Sequence, residues 1–498
     1  MKIGWSEKSI TPDKKVSLAG QFAERISEYV EKPLTVTAMA VEQGNEQMVL
    51  CSMDLESARW NLIEAVREEL KKRLPELDPK KVILCAIHTH TGPVYPMRNR
   101  LELSNNGGFR GLLESELPKD KKYIEAVPVT EEAGIATADE VLALLIEQTV
   151  CAVIEAWNSR KEGGFSNAFG RAAVGMCRRA VYSDGSAQMW GDTNTAVFTE
   201  LEGGNDSGIE LLYIFDENKK LTGVVANLAC PAQCVQHRHF VSPDFWGEVK
   251  VLLRKHFGED IFLLPLCSAA GDQCPVDLVR WVEPESELND PNCERNNPPK
   301  RKADPSMFDL AGMRKAGRRI ANEIIGVYED GLDEMQADAP FEHRVQDMQL
   351  PIRRATLTEA AIARKAIREY LRDKEGDVDY VDAARLQVHL GILRRMELQE
   401  EHDVLDTEVH LIRMGTIAIA TNPFELFLDY GNQMKARSVA EQTFVVQLAN
   451  GHEGYLPTCK AERGGHYSAF ISSGMVGHIG GDQLVRETLT GIRQMFAE

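Results

Sequence analysis

The sequence predicts an α/β protein of layered mixed β-sheets flanked by helices, with a helical hairpin inserted. Three observations carry this prediction. Residues 33–87 run as two apolar strand-like segments, one helical segment and another apolar strand, a β-β-α-β order whose sheet must be covered by helices. Short apolar runs then alternate with stretches of helical periodicity through the rest of the chain. Residues 356–402 are strongly charged, with Ala and Leu at helical spacing and GDVD in the middle, which reads as two helices joined by a turn.

In order, LTVTAMAVE and MVLCSMDL are strands separated by the turn-like QGNE, NLIEAVREELKKRL (61–74) is an amphipathic helix, and KVILCAI (81–87) is a buried strand. Residues 96–136 turn polar and Gly-rich, as a loop excursion would. A helix over 137–158 restores regular structure. Strands are expected in AAVGMCRRAVYS, IELLYIF and LTGVVANLAC, a helix over 244–257, and a buried strand in DIFLLPLCSAAGD (260–272). Residues 284–306, rich in Pro, Asn, Asp and Glu, read as an irregular segment, followed by a helix near 307–328. VHLIRMGTIAIATNPFELF reads as two strands, a turn and the start of a short helix, and TFVVQLANGHEGYLPT as a last strand with a polar end. The whole of 1–498 is read as a single domain with 356–402 inserted in it.

Composition narrows the function. The 498 residues are 43% hydrophobic and 27% charged, which excludes a disordered or fibrous chain. A net charge of −19 opposes binding to nucleic acid or to an anionic membrane surface. The start, MKIGWSEKSITPDKK, has no apolar leader core, and no stretch is apolar for the roughly 18 residues that span a bilayer. The ten cysteines form no CxxC and read as reduced thiols. A cytoplasmic protein handling a small molecule is the expectation, with homo-oligomerisation left open.

Several strands end in reactive residues: His88 and His90, Cys230, Asp272 with Cys274, Glu425, and the segment Asn450 to Tyr455. In an extended chain His88 and His90 project to one face beyond a strand's carboxyl end, and neutral imidazole is a common zinc ligand.

These residues, in this order, resemble the amino-terminal catalytic domain of the neutral/alkaline non-lysosomal ceramidase family. The resemblance runs through SITPD, IHTHTGP, CPAQ…VSPDFWG, SAAGDQCP, NPFELF and NGHEGYLPT. It implies one Zn2+ ion held by His88, a second histidine, Glu425 and Tyr455. It also implies that His90 lies beside the metal and contacts the substrate oxygen, and that Arg178 (or its neighbour Arg179) binds the reacting group. The chain departs from the pattern twice. Where the family carries its second zinc histidine this chain has Cys230, whose thiolate can bind zinc; His237 or His239 nearby could supply a nitrogen instead. Where the family has a serine in GDxSP this chain has Cys274, a catalytic candidate as a nucleophile.

The function so implied is zinc-dependent hydrolysis of an amide-type (N-acyl) bond in a small polar or sugar-derived substrate, through metal-activated water. The competing readings are a metal-dependent lyase or isomerase for a carbohydrate acid, a ceramide-type lipid amidase, and a non-catalytic binding protein on the same fold.

Overall fold

The computed structural model describes residues 1–96, 98–101, 106–125, 134–279, 308–332 and 334–497. The irregular segment expected at 284–306 lies outside them, as does part of the polar excursion at 96–136.

Two sheets stack face to face, with helices on both outer faces. The larger sheet contains β1 (Lys2–Ser9), β2 (Thr35–Gln43), β3 (Glu46–Met53), β4 (Val82–Ala86), β5 (Lys161–Arg171), β6 (Gly208–Asp216), β7 (Leu221–Leu228) and β8 (Phe262–Cys267). Their order is β8-β7-β6-β5-β1-β2-β3-β4; only the β3–β4 and β7–β8 pairs are parallel. The smaller sheet contains β9 (Phe341–Pro351), β10 (Val404–Met414), β11 (Ile417–Thr421) and β12 (Gln442–Val446), in that order.

Strand alternation builds the layers. On β2 and β4, Val36, Ala38, Ala40, Val82 and Leu84 face α1 (Trp60–Arg73) and a long helix over Ala138–Asn158. The intervening Met39, Val41, Ile83 and Cys85 meet Ile412, Ile417, Ile419 and Phe444 of the second sheet, as the two-residue period requires. On the other half of the large sheet, Leu211, Tyr213 and Val224 pack under helices Phe245–Phe257 and Asp309–Gly326. The outer face of the small sheet is covered by helices Leu428–Arg437 and His478–Ala497.

The expected helical hairpin is present as Leu357–Asp373 and Tyr380–Glu401. Both helices open with capping boxes, Thr356 with Glu359 and Asp379 with Asp382, which satisfy free backbone N–H groups reciprocally. The hairpin has its own core, where Ala363, Ile367 and Leu390 enclose Leu113. Leu113 belongs to a helix over Asn106–Glu116 within the stretch expected to be loop.

Among the longer elements, β1, β5, β9 and the helix His478–Ala497 are also not in the sequence reading. In β5 the run KEGGFSNAFGR looks like loop because of its glycines. A Cβ on Gly164 would lie 2.6 Å from the Gln336 carbonyl oxygen, so glycine is what allows a neighbouring backbone to approach. In β9 both faces are partly buried, Phe341 toward the large sheet and Met348 and Leu350 toward the outer helices, and the charges Glu342, Arg344 and Asp347 are interspersed between them, so no clean alternation shows in the sequence.

Candidate functional site

The site lies where the carboxyl end of β4 meets the loop after β12. The strand stops at Ala86, two residues before His88, so extended geometry does not align the two histidines. His88 has φ of 64°, a left-handed turn that brings the imidazoles edge to face with 4.9 Å between centroids and 3.4 Å between their Nε2 atoms. The loop after β12 is stitched to β4: Ala86 N–H donates to Leu448 O, Asn450 N–H to Leu84 O, and Leu84 N–H to Asn450 Oδ1. This stitching carries His452 and Tyr455 to the histidines. The short parallel pair Glu425–Leu426 with Tyr455–Leu456 then fixes Glu425 against Tyr455.

Turns from three other segments close the floor. Gln447 Oε1 accepts from Ala270 N–H and Leu426 N–H, joining the SAAGD turn to Glu425. Gly271 lies so close to Glu425 that a Cβ would be 2.3 Å from its carbonyl oxygen. Asp272 does not support a histidine: it accepts from Leu428 N–H at the start of helix Leu428–Arg437. Asp244 accepts from Phe245 N–H and Val235 N–H, and Asp54 from Thr35; both carboxylates serve the fold.

The reactive groups form one connected cluster. His88 holds Glu56 O with Nδ1 at 2.8 Å, while its Nε2 lies 3.4 Å from Glu425 Oε2. The other oxygen of Glu425 is 3.2 Å from His452 Nε2. Arg178 donates to Gly271 O (2.9 Å), Gln233 Oε1 (3.2 Å) and the Tyr455 hydroxyl (3.3 Å). With its oxygen on Arg178, the Gln233 amide presents its NH2 to His90 Nε2 at 2.7 Å. Gly20 packs on the His90 ring, where a Cβ would come within 2.3 Å of Cγ. Glu56, Gln233, His452 and Tyr467 are site residues that sequence reasoning passed over or left unassigned; the spacing of NGHEGY could have nominated His452 outright.

Burial and charge set the protonation states. Burial works against the ionised form of Glu425, yet the charges and hydrogen bonds of His88 and His452 hold its carboxyl well below the usual range. Glu56 is likewise lowered to about 2, burial being outweighed by Arg59, His452 and His88. Burial, with His88 beside it, pushes His90 well down, so it is neutral. Burial pushes the Tyr455 phenol well up.

The other nominated residues fall elsewhere. Arg179 is spent on Glu202 (2.6 and 3.0 Å) and on the carbonyls of Gly465 and Tyr467. His237 faces Asp309 Oδ2 at 3.6 Å and stacks on Phe308; no hydrogen bond, ion pair or ring contact joins it to His88, Glu425 or Tyr455. His239 gives its carbonyl to Glu28 N–H, on the strand edge beside residues 29–30. Cys230 is fully buried, with its thiol directed at Pro231 O and pushed well up by burial. The Cys274 thiol donates to Val276 O and is pushed up to about 12, chiefly by burial; neither cysteine borders the cavity. A neutral thiol with no base in contact is a poor nucleophile or ligand.

Over the cluster opens a cavity of about 300 Å³ lined by Glu56, Glu425, His452, Tyr455 and Tyr467, with Gln387 and Val388 of the hairpin in its roof. Two donors bound to one tetrahedral zinc at about 2.0–2.2 Å stand roughly 3.4 Å apart, and His88 Nε2 and Glu425 Oε2 have this separation. A carbonyl on the far ring nitrogen, as at His88, is how ligating histidines are usually held. Among the described residues no three His, Cys, Asp or Glu side chains make a metal cluster by themselves; the residue paired with Glu425 across the short parallel bridge is Tyr455, whose hydroxyl accepts from Arg178.

No family model matches the chain, and no curated protein sequence matches it. Solved structures do. The neutral ceramidase from Pseudomonas aeruginosa superposes with a TM-score of 0.67 over 100% of this chain and 74% of that one, at 14% identity. A structure described as ceramidase complexed with C2 gives 0.64 over 99% and 75%, also at 14% identity. The chain has the neutral ceramidase fold. Among the described residues no helix is long and apolar enough to cross a membrane.

Proposed function

We propose that this chain hydrolyses an amide-type, N-acyl bond in a small polar substrate, with zinc as its cofactor. The observation that carries the reading is that Glu425 and Tyr455 line one cavity with His452, while His88 lies behind them at 3.4 Å from Glu425 and Arg178 at 3.3 Å from the Tyr455 hydroxyl. The likeness to ceramidases, which cleave an N-acyl bond, supports the same reaction class.

His88, Glu425 and Tyr455 would hold the ion. Cys230 would complete the set only by turning from Pro231 O and losing its proton. When bound, zinc lowers the pKa of a coordinated water and polarises a carbonyl. The chain's own groups do the rest. The Tyr455 hydroxyl lines the cavity and accepts from Arg178 at 3.3 Å, which leaves its own proton to be donated to a developing oxyanion. Arg178 also fixes the Gln233 amide and, through it, the His90 ring. His452 leans Nε2 on Glu425 and leaves a buried Nδ1 with no protein partner, the arrangement of a carboxylate-oriented acid/base. In this reading it carries the proton to the leaving amine.

The test is turnover of N-acylated amines in ¹⁸O water with metal content measured in parallel. Hydrolysis places one solvent oxygen in the released carboxylate, and His88→Ala should lose both zinc and turnover. Full zinc and full activity in that variant would defeat the assignment. The competing reading is a lyase or isomerase for a carbohydrate acid; product formation without solvent oxygen would select it.

A further inference from the structure

A second cavity of about 380 Å³ adjoins the first beneath the hairpin, and the two share Gln21, Phe22, Arg59, Phe109 and His452 as walls. We infer that it is a subsite for a neutral, hydroxyl-bearing ring, so that the substrate is an N-acylated amino sugar. The inference rests on the amide-hydrolase reading and names its substrate class.

Three observations support it. Aromatic side chains stand on its walls: Phe22 and Phe109 from the body, Tyr123, and Tyr380 from the hairpin. Phe22 is 56% exposed and Tyr380 38%. Such planes offer apolar faces to the C–H side of a ring. The floor is polar instead: Asn99, Arg59 and Glu453 line it. Glu453 is 3% exposed, and its Oε2 is buried without a hydrogen-bond partner, a cost a ligand hydroxyl would relieve.

The third observation decides the charge. Among the described residues, every guanidinium lining the cavity already has a partner. Arg59 bonds Ser57 and Asn99 and pairs with Glu56. Arg395 is spent on the carbonyls of Arg353, Ile471, Gly474 and Met475, and Arg394 pairs with Glu397. A carboxylate or phosphate would therefore find no unpaired guanidinium among the described lining residues. A long acyl chain would leave the buried Glu453 Oε2 without a partner, where a hydroxyl would supply one.

Calorimetric titration with the methyl glycoside of N-acetylglucosamine, against N-dodecanoylethanolamine as the lipid-like probe, tests the subsite directly. Affinity is read in the titration and cleavage separately by product analysis, so failure to bind is distinct from failure of the hydrolase reading. The glycoside should bind more tightly than the lipid-like amide, and Tyr380→Ala and Glu453→Gln should each weaken it at least fivefold while the protein melts as a folded chain. Tighter binding of the acyl chain, no binding of the glycoside, or glycoside binding indifferent to both substitutions would overturn the inference. Tyr380 begins a helix near the hairpin tip, so its variant keeps the test informative if Glu453→Gln folds poorly.

Discussion

Glu408→Gln should lower the melting temperature by about 3–6 °C, because Glu408 anchors a buried ionic knot behind the site. Its two oxygens accept from Arg67 at 2.8 and 3.0 Å, and one also meets His410 Nε2 at 2.9 Å and Asn450 Nδ2 at 3.0 Å. Burial alone would raise its pKa, but those bonds hold it well below the carboxylate range. Removing one partner of a buried pair costs about 3–5 kcal/mol, since the other charge stays desolvated. Arg67 is slightly exposed, at 8%, which favours the lower end, about 3 kcal/mol. At about 1–2 °C per kcal/mol for a chain of this length, the shift is readable by circular dichroism. The double variant Arg67→Met/Glu408→Leu should recover much of the loss, as apolar replacement of a whole buried pair commonly does. A single variant melting within 1 °C of wild type would refute the reasoning, for the pair would then be solvated or dispensable.

The same knot predicts a pH effect. Burial lowers the folded pKa of both His343 and His410, so below about 6.5 the unfolded chain binds protons that the folded one does not. Their contribution is full above that value and lost as pH falls; the drop in melting temperature from pH 7 to 5.5 should be smaller in His410→Gln. The difference between the two proteins is the measurement, since Asp244 and Asp272, raised to about 6 chiefly by burial, act in the opposite sense in both. Gly20→Ala should cut turnover at least about tenfold by displacing the His90 ring; the glycine has φ of 87°, so about 1–3 kcal/mol of backbone strain should accompany it. Unchanged kcat would contradict the role given to His90. Alkylation of the native protein, read by peptide mass, should label Cys151 and Cys459, which are partly exposed, and spare Cys230 and Cys274. Rapid labelling of Cys274 would revive it as a nucleophile.

Much of this protein is determined by local pattern. Alternation in 34–55 and 81–87, periodicity in 61–74 and the charged hairpin at 356–402 fix the α/β layering, because each buries one face at its own period. HTHTGP, NPFELF and NGHEGYLPT marked His88, His90, Glu425 and Tyr455, chemistry-bearing types at strand ends. Strands β5 and β9 escaped notice because glycines and charges there answer to neighbours distant in sequence. The second-ligand choice among Cys230, His237 and His239 was equally beyond local reasoning: Asp309 draws one away, Pro231 occupies another, and Gln233, ordinary in sequence, joins Arg178 to His90. Only the tertiary structure decided that His88 turns through a left-handed φ, that the loop after β12 is stitched to β4, and that the hairpin roofs the cavity. Those are long-range contacts, and their energy comes from groups that no window along the sequence contains.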